Sequence, residues 1–199
     1  LVLGTTSLGA KIARAFGIGP GPARRAAMVR PHVAAIQRER DPQTVINDRN
    51  WLARGPVLVA NARWVPPFGF RPPDDGGAWL GLCDGQPACA LVGPEVAAGL
   101  SVNGAEDWFE EVAGRPDIEV FELGGKWVGR PWDLVAWNAE HIEHDFQLDT
   151  RAGVSNRHLT TLALVGPADR LFIHETARID PYTVFDTTSG PITLEAGVW

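Results

Sequence analysis

A six-residue periodicity in the last part of the sequence restricts the fold of this chain more than any other feature. Large apolar side chains recur at this spacing, with a one-residue slip at Gly190-Pro191, at Ile173, Ile179, Phe185, Ile192 and Val198. A small side chain stands four residues after each of the first four, at Ala177, Thr183, Ser189 and Ala196. Such a repeat is typical of a β-helix, in which the large residue fills the centre and the small one fits a corner. Because the open end of a β-helix exposes unpaired strand edges, we expect it to continue beyond Trp199.

Charge and composition exclude several classes of protein. The 199 residues carry 18 basic and 24 acidic side chains, and a net charge of -6 argues against a general binder of nucleic acids or anionic membranes. No apolar run approaches the roughly 18 residues of a membrane-spanning helix, and we expect a cytoplasmic protein. Cys83 and Cys89 flank a turn and are predicted to be small buried residues and not a disulfide. The only Met is Met28, so we expect the chain to be an internal piece of a longer protein.

The residues before the repeat alternate between helical and strand patterns, as in an α/β fold. Helices are predicted over residues 8–16, 32–40, 47–52, 105–112 and 132–146, and strands over residues 26–29, 57–61, 78–83, 87–92 and 118–123. The spacing places Val33, Ile36 and the stem of Arg40 on one face of their helix. Trp108, Phe109 and Val112 supply the apolar side of the helix over residues 105–112. The apolar run Val57–Asn61 is typical of a strand buried on both faces of a parallel or mixed sheet. The two strands around Asp84-Gly85 are predicted to form a β-hairpin.

The longest predicted helix, over residues 132–146, has an apolar and a charged face. Its candidate core contacts are Leu134, Trp137, Ile142 and Phe146. On its charged side, His141, His144 and Asp145 stand on neighbouring turns and could hold a metal. A third or fourth ligand group is not evident, so an exposed polar face is the favoured interpretation and no metal site is predicted.

Five side chains are predicted to bind substrate: Asn61, Arg63, Lys11, Asp133 and Asn138. Asn61 and Arg63 follow a predicted strand at its carboxyl end, where open α/β sheets bind ligands. An amide can bind sugar hydroxyls or a base edge, and a guanidinium binds a phosphate through two hydrogen bonds. The alternative is a turn-forming Asn beside a surface Arg. For Lys11 the alternative is a solvated helical Lys, and for Asp133 it is an acid favoured by the helix dipole.

Several segments, in order along the chain, resemble one known family. They are Leu3–Lys11, Val45–Asp48, Val59–Pro67 and Arg130–Phe146, followed by the hexapeptides. The segment with Trp132-Asp133-Leu134-Val135, Asn138 and Asp145-Phe146 is the most specific of them. Together they resemble the sugar nucleotidyltransferases related to bifunctional UDP-N-acetylglucosamine diphosphorylase/glucosamine-1-phosphate N-acetyltransferase, in its divergent form. The resemblance covers nearly the whole chain.

The resemblance implies a nucleotidyltransferase-like (Rossmann-like) α/β domain over residues 1–160 and the beginning of a left-handed parallel β-helix over residues 161–199. The implied reaction joins a sugar-1-phosphate to the α-phosphate of a nucleoside triphosphate, with Mg²⁺, and releases pyrophosphate. The implied assembly is a homotrimer held by the β-helix. The family's opening strand and Thr-Arg-Pro loop would precede Leu1, so catalytic residues are not assigned and the chain alone is expected to be inactive. Ala62 stands where the family usually has Gly.

Two alternative functions accompany this interpretation. One is a β-helix acyltransferase that uses an acyl-CoA such as acetyl-CoA, with a non-catalytic N-terminal domain. His174 opens a predicted β-helix turn and could act there as a general base, although a surface role is favoured. The other alternative is a non-enzymatic trimeric scaffold.

Overall fold

The computed structural model describes residues 2–3, 6–18, 25–73, 76–101, 103–149, 153–154 and 162–199. The chain forms two compact units, one of residues 8–129 and the other of residues 1–7 with 130–199. Both contain helices and small sheets, so the protein belongs to the mixed α/β class that the sequence predicts. The predicted domain boundary between residues 160 and 161 lies outside the described residues.

Short helices and strands alternate along the chain. The helices are α1 (Leu8–Ala15), α2 (Pro31–Arg40), α3 (Arg49–Leu52), α4 (Pro94–Ala97), α5 (Ala105–Ala113) and α6 (Pro131–Asp149). The strands are β1 (Val2–Leu3), β2 (Thr6–Ser7), β3 (Ala26–Ala27), β4 (Val45–Ile46), β5 (Val57–Ala60), β6 (Trp64–Val65), β7 (Trp79–Cys83), β8 (Gln86–Val92), β9 (Glu119–Glu122), β10 (Lys126–Trp127), β11 (Gly153–Val154), β12 (Ala163–Val165), β13 (Leu171–Ile173), β14 (Val184–Asp186) and β15 (Ile192–Leu194). Each helix and strand predicted from the sequence has a counterpart here.

A four-stranded mixed sheet, in the order β5-β8-β7-β9, is the centre of the first unit. Strands β7 and β8 form the predicted hairpin, and β5 pairs antiparallel with β8. The hairpin turn has positive φ at both Asp84 (51°) and Gly85 (71°), as a type I′ turn requires. Strand β9 pairs in parallel with β7, so these two strands share a carboxyl end.

The core of the first unit lies between this sheet and helix α5. Trp108, Phe109 and Val112 of α5 are buried there, as the sequence predicts. The cluster also contains Leu52, Val57, Leu80, Ala90, Val92, Ala97, Leu100 and Ile118. Burial of large apolar side chains contributes about 1.5–3 kcal/mol each, so this cluster is the main source of stability for the unit.

The shared face of Val33 and Ile36 on α2 is mostly uncovered. Ile36 is 64% exposed, Val33 is half-buried, and Ala34 is the buried residue of α2, which contacts strand β4. The prediction that β5 is buried on both faces is wrong, because only Val57 is buried and the other three residues of the strand are half-buried. β5 also lies at the edge of its sheet, so only one neighbouring strand covers it.

Helix α6 belongs to the second unit, and its buried face differs from the predicted one. The fully buried residues are His141 and Asp145, which are 1% and 4% exposed, whereas Leu134, Trp137, Ile142 and Phe146 are half-buried. His144 is half-buried as well. The predicted exposed polar face is therefore wrong at His141 and Asp145, which lie four residues apart on one side of the helix.

Parallel strands stack at the end of the second unit. β12 pairs with β14 and β13 with β15, each at an offset of 21 residues (Ala163 opposite Val184, Leu171 opposite Ile192). The repeat residues Ile173 and Phe185 are buried with Leu171 and Ala177, and Ile179 and Ile192 pack against them. Three repeat positions depart from the predicted pattern, since Val198 is 40% exposed and Ser189 and Ala196 are exposed as well, whereas Thr183 is half-buried. Strands β11 and β13 also pair in parallel.

None of the helices in the described part of the chain is long and apolar enough to cross a membrane.

Candidate functional site

Arg63 is held in one orientation where strand β6 begins. Its Nε donates to the carbonyl oxygen of Val128 (2.8 Å), and its Nη2 donates to that of Gly129 (3.4 Å). The guanidinium carbon lies 5.2 Å from the ring centroid of Trp127, which pairs with Trp64 across the β6–β10 sheet. Nη1 takes part in neither of these two hydrogen bonds. Arg63 is exposed.

Asn61 forms the turn that leads into Arg63. Its Oδ1 accepts a hydrogen bond from the backbone N–H of Arg63 (3.0 Å), and its carbonyl accepts from the N–H of Trp64 (3.1 Å). Its own N–H donates to the carbonyl of Ala88 (2.8 Å) and so continues the β5–β8 ladder by one residue. These are the contacts of a turn-forming Asn, which was the alternative interpretation. Substrate binding by Asn61 stays a prediction.

Lys11 is buried on helix α1, with 8% of its surface exposed. The alternative of a solvated helical Lys is therefore wrong. Its neighbours Leu8 and Ile12 are also buried, so Lys11 belongs to the packed face of the helix. Burial of a charged ammonium is costly unless it is paired, which makes this position unusual for a Lys.

Asp133 and Asn138 lie on helix α6, in the other unit. Asp133 Oδ2 accepts from the backbone N–H of Arg130 at 2.7 Å, and the N–H of Asp133 donates to the carbonyl of Arg130 at 3.1 Å. This reciprocal pair caps the helix start, as expected of an acid in the first turn. Asn138 is half-buried five residues later, about 140° around the helix from Asp133. The two side chains therefore leave α6 in different directions.

The predicted substrate-binding residues thus fall into separate groups. The structure joins Asn61 and Arg63 by a hydrogen bond, and Lys11 lies in the same unit. Asp133 and Asn138 belong to the unit that contains α6. Substrate binding by these five residues stays a prediction.

The buried His141 and Asp145 were missed as buried groups, although the sequence contains a signal for them. Leu134, Asn138, His141 and Asp145 are spaced by four, three and four residues, which is the spacing of a helical stripe facing a neighbour. The stripe was missed because it is mostly polar. Among the described residues there is no group of three or more His, Cys, Asp or Glu side chains that could hold a metal.

The ring of His174 is held by its contacts with Thr176. Its Nδ1 accepts from the backbone N–H of Thr176 (3.2 Å) and lies 2.9 Å from Thr176 Oγ1. Nδ1 is therefore already engaged by Thr176 within the turn.

Cys83 and Cys89 are free and buried, as predicted. Burial raises the pKa of the Cys83 thiol to about 11, and the neighbouring carboxylates of Asp84 and Glu122 add to this shift. Burial alone raises the pKa of the Cys89 thiol to about 12. Both thiols are therefore structural and lack the lowered pKa of a nucleophile.

A groove in the first unit was not predicted from the sequence. It has a volume of about 630 Å³ and is lined by residues 67–73 on one side and by Phe121, Glu122 and Leu123 on the other. From the sequence, Pro66-Pro67 and Pro72-Pro73 predict only a loop in this stretch. The missing information is the parallel pairing of β9 with β7, which brings Phe121–Leu123 beside that loop and which no local pattern encodes.

The fold and the polar groups described above define a mixed α/β protein with candidate substrate-binding side chains after strand β5, on helix α1 and on helix α6. A family model described as sugar nucleotidyl transferase matches residues 1–152. The chain belongs to this sugar nucleotidyl transferase family, which confirms the resemblance at the level of the family and supports nucleotidyl transfer as the general chemistry. Searches of curated proteins and of solved structures each gave no match.

Proposed function

We propose that the protein makes a nucleotide sugar from a nucleoside triphosphate and a sugar-1-phosphate. A phosphate oxygen of the sugar-1-phosphate attacks the α-phosphorus, the bond between the α-phosphorus and the bridging oxygen breaks, and pyrophosphate leaves. The observation that carries this proposal is the family match over residues 1–152. The closer relation to bifunctional UDP-N-acetylglucosamine diphosphorylase/glucosamine-1-phosphate N-acetyltransferase is part of the same proposal.

Arg63 is the substrate-binding residue that the geometry supports best. Phosphoryl-type transfer depends mainly on positioning and on neutralising charge, so a guanidinium already held in place is well suited to it. Two carbonyl groups and the Trp127 ring hold Arg63, and it stays exposed. We assign it to a substrate phosphate, with Asn61 shaping its turn. Lys11, Asp133 and Asn138 are further candidates for substrate contacts.

Mg²⁺ is the divalent metal that the family commonly uses. In sites of this kind Mg²⁺ takes one or two carboxylates and completes its shell with water and substrate phosphates. The described residues hold no preformed group of three metal-binding side chains, and Asp133 already accepts a backbone hydrogen bond. No chemical step is therefore assigned to the metal here.

The test is a measurement of pyrophosphate release from the purified full-length protein with Mg²⁺, the common nucleoside triphosphates and a panel of hexose- and hexosamine-1-phosphates. We expect turnover with at least one pair of substrates. Arg63→Gln should raise the KM of one substrate about tenfold or more, since hydrogen bonds to charged groups contribute about 1.5–3 kcal/mol. Arg54→Gln removes another exposed Arg of the same unit and is the matched control.

The outcomes of this assay separate a binding role from a structural one. Because Arg63 also braces strand β10, melting temperatures are measured for both variants, and a rise in KM without loss of stability supports binding. Absence of pyrophosphate release across the whole panel would refute the proposed reaction.

The stacked parallel strands support a further part of the proposal, that the second unit begins a left-handed β-helix through which the protein trimerises. Parallel strands pair at offsets of 21 residues in two cases and 19 in a third, and stacked parallel strands are what successive turns of a solenoid have. Light scattering in solution tests the trimer, and a monomer at all concentrations would contradict it. The alternative of acyl transfer from acetyl-CoA is less well supported, because Nδ1 of His174 is already engaged by Thr176.

A further inference from the structure

Helix α6 carries a row of apolar side chains that are exposed. Trp132 is 60% exposed and Val135 is 76% exposed, and Ala136 and Ala139 are exposed as well. Their spacing of i, i+3, i+4 and i+7 places all four on one side of the helix. These four residues are called the α6 stripe below. The same spacing is typical of the side through which an amphipathic helix packs against a neighbour.

The α6 stripe is not the side through which the helix is buried in its own unit. At about 100° per residue, the centre of the stripe lies about 150° around the helix from the midpoint of the buried His141 and Asp145. Helix α6 also contacts strand β1 of the same unit. The helix is therefore buried on one side and exposes a second, apolar side. A contiguous exposed apolar patch marks an interaction surface.

The chain itself ends the exposed stripe after two turns. The next residue on this side of the helix is Glu143, whose Oε2 accepts a hydrogen bond from Nη2 of Arg170 at 2.7 Å. Both side chains of this pair are about one third exposed. The open part of this side therefore extends over about 10 Å, from Trp132 to Ala139.

The shape of the α6 stripe is complementary to its own copy. A large indole, of Trp132, stands at the beginning of the stripe, and a methyl group, of Ala139, stands at its end. If two such helices lie antiparallel, each indole packs against Ala139 of the other copy. Val135 and Ala136 then meet at the two-fold axis, where a small side chain lets the helices approach closely.

The charges beside the stripe favour the same antiparallel arrangement. Arg130 precedes the stripe and is exposed, with its guanidinium carbon 5.5 Å from the ring centroid of Trp132. Glu140 follows the stripe and is exposed as well. An antiparallel pair brings Arg130 of each copy towards Glu140 of the other, and it also opposes the two helix dipoles. A parallel pair would place like charges side by side.

We propose that the α6 stripe is an interface between two copies of this chain, which pair antiparallel about a two-fold axis near Val135 and Ala136. The pairing does not depend on the proposed reaction. It also differs from the proposed trimer, because it uses α6 and not the stacked strands, so it joins two chains or two trimers. Four side chains are far fewer than the roughly 20–30 residues per side of a standard interface, so we expect a dissociation constant of about 1–100 μM.

Sedimentation velocity of the purified full-length protein tests the pairing over concentrations of about 1–200 μM. The mass of the assembly is expected to double as the concentration rises. Trp132→Asp should raise the dissociation constant about tenfold or more, because a buried Trp is a typical anchor of an interface. Ile36→Asp is the matched control, since it makes the same kind of change at another exposed apolar residue of a helix. It should keep the dissociation constant within about twofold.

A charge exchange tests the antiparallel arrangement. Arg130→Glu and Glu140→Arg should each weaken the pairing, because each places like charges opposite one another. The double variant restores opposite charges and should regain the pairing. Both residues are exposed, so the variants are expected to fold, which melting temperatures verify.

Cross-linking tests the position of the two-fold axis. Ala136→Cys places a thiol close to the axis, so mild oxidation should link two chains through a disulfide. Gln147→Cys lies on an exposed position of the same helix, three turns away, and should not link chains. The natural Cys83 and Cys89 are buried and do not compete.

The inference is overturned by any of four results. They are an assembly whose mass does not double up to about 200 μM, a doubling that Trp132→Asp leaves unchanged, a charge exchange that does not regain the pairing, and Ala136→Cys that links chains no faster than Gln147→Cys. A trimer that forms no hexamer counts as the first of these results. Pyrophosphate release is measured separately and bears only on the proposed function.

Discussion

Gly125 is the residue whose substitution tests the described packing most directly. It has φ of 101°, and a Cβ at this position would collide with the carbonyl oxygen of Val65 and lie 2.9 Å from Trp64 Nε1 and 3.2 Å from Pro67 Cδ. Trp64 is fully buried, and its Nε1 donates to the carbonyl of Gly124 at 3.0 Å. Gly125→Ala therefore forces a shift of backbone and of a buried indole.

The magnitude follows from three contributions. A non-Gly residue held at strained positive φ costs about 1–3 kcal/mol. Forcing an extra methyl group into a packed site costs about 1–3 kcal/mol, and losing the indole hydrogen bond costs about 1 kcal/mol. We expect Gly125→Ala to lower the free energy of unfolding by about 4 kcal/mol, a large part of the roughly 5–15 kcal/mol available to a domain.

Gly124→Ala is the matched control. Gly124 also has positive φ (67°), but a Cβ there meets no atom within 4 Å. Its expected cost is about 1 kcal/mol, from the left-handed conformation alone. The free energies of unfolding of both variants are measured by urea unfolding, followed by tryptophan fluorescence and circular dichroism. Both variants replace one Gly by Ala, so they change the unfolded chain equally. The difference between their free energies of unfolding therefore reports the contacts in the native state. A difference under about 1 kcal/mol would refute this account of the packing.

Three further predictions concern other buried or paired groups. Thr187, fully buried, donates its hydroxyl to a backbone carbonyl at 2.8 Å, so Thr187→Val should cost about 1–2 kcal/mol in urea unfolding, whereas Thr187→Ser should cost less. Glu143 accepts a 2.7 Å hydrogen bond from Arg170, which holds its pKa below the ordinary value of 4.5. The half-exposed pair of Glu143 and Arg170 should contribute about 0.5 kcal/mol to the free energy of unfolding at neutral pH. The difference in this free energy between wild type and Glu143→Gln should vanish as the pH falls through the lowered pKa of Glu143. Cys83 and Cys89, buried with pKa values of about 11 and 12, should react with a disulfide reagent at pH 8 only on unfolding; rapid labelling of the native protein would contradict their burial.

Features with local causes were predicted well from the sequence. The β7–β8 hairpin follows from Asp84-Gly85, because few other residue pairs adopt positive φ at two successive positions. The buried face of α5 follows from the spacing of Trp108, Phe109 and Val112 along a helix. In both cases the residues that determine the element lie within it.

Features that depend on neighbours in space were predicted poorly. Apolar character alone predicted that β5 is buried on both faces, yet it is an edge strand and three of its four residues are half-buried. On α6 the apolar residues were taken as the core, but packing buries His141 and Asp145. A polar residue can be buried when its neighbours satisfy it, and sequence spacing does not identify those neighbours.

The candidate site shows the same division. The sequence identified Asn61 and Arg63 at the end of a strand, and the structure places them there. The carbonyl groups that hold Arg63 come from Val128 and Gly129, more than sixty residues away, and only the β6–β10 pairing brings them close. The groove depends in the same way on the β7–β9 pairing.

By itself, the sequence therefore determined the type and approximate extent of the helices and strands, the hairpin, the apolar side chains of α5 and the family. These depend on backbone preferences, short-range periodicity and ordered motifs, all of which are written along the chain. The tertiary structure alone decided which strands are edges, which face of α6 is buried, how Arg63 is oriented and that a groove exists beside β9. These depend on contacts between distant residues, whose pairing is set by the packing of the whole unit.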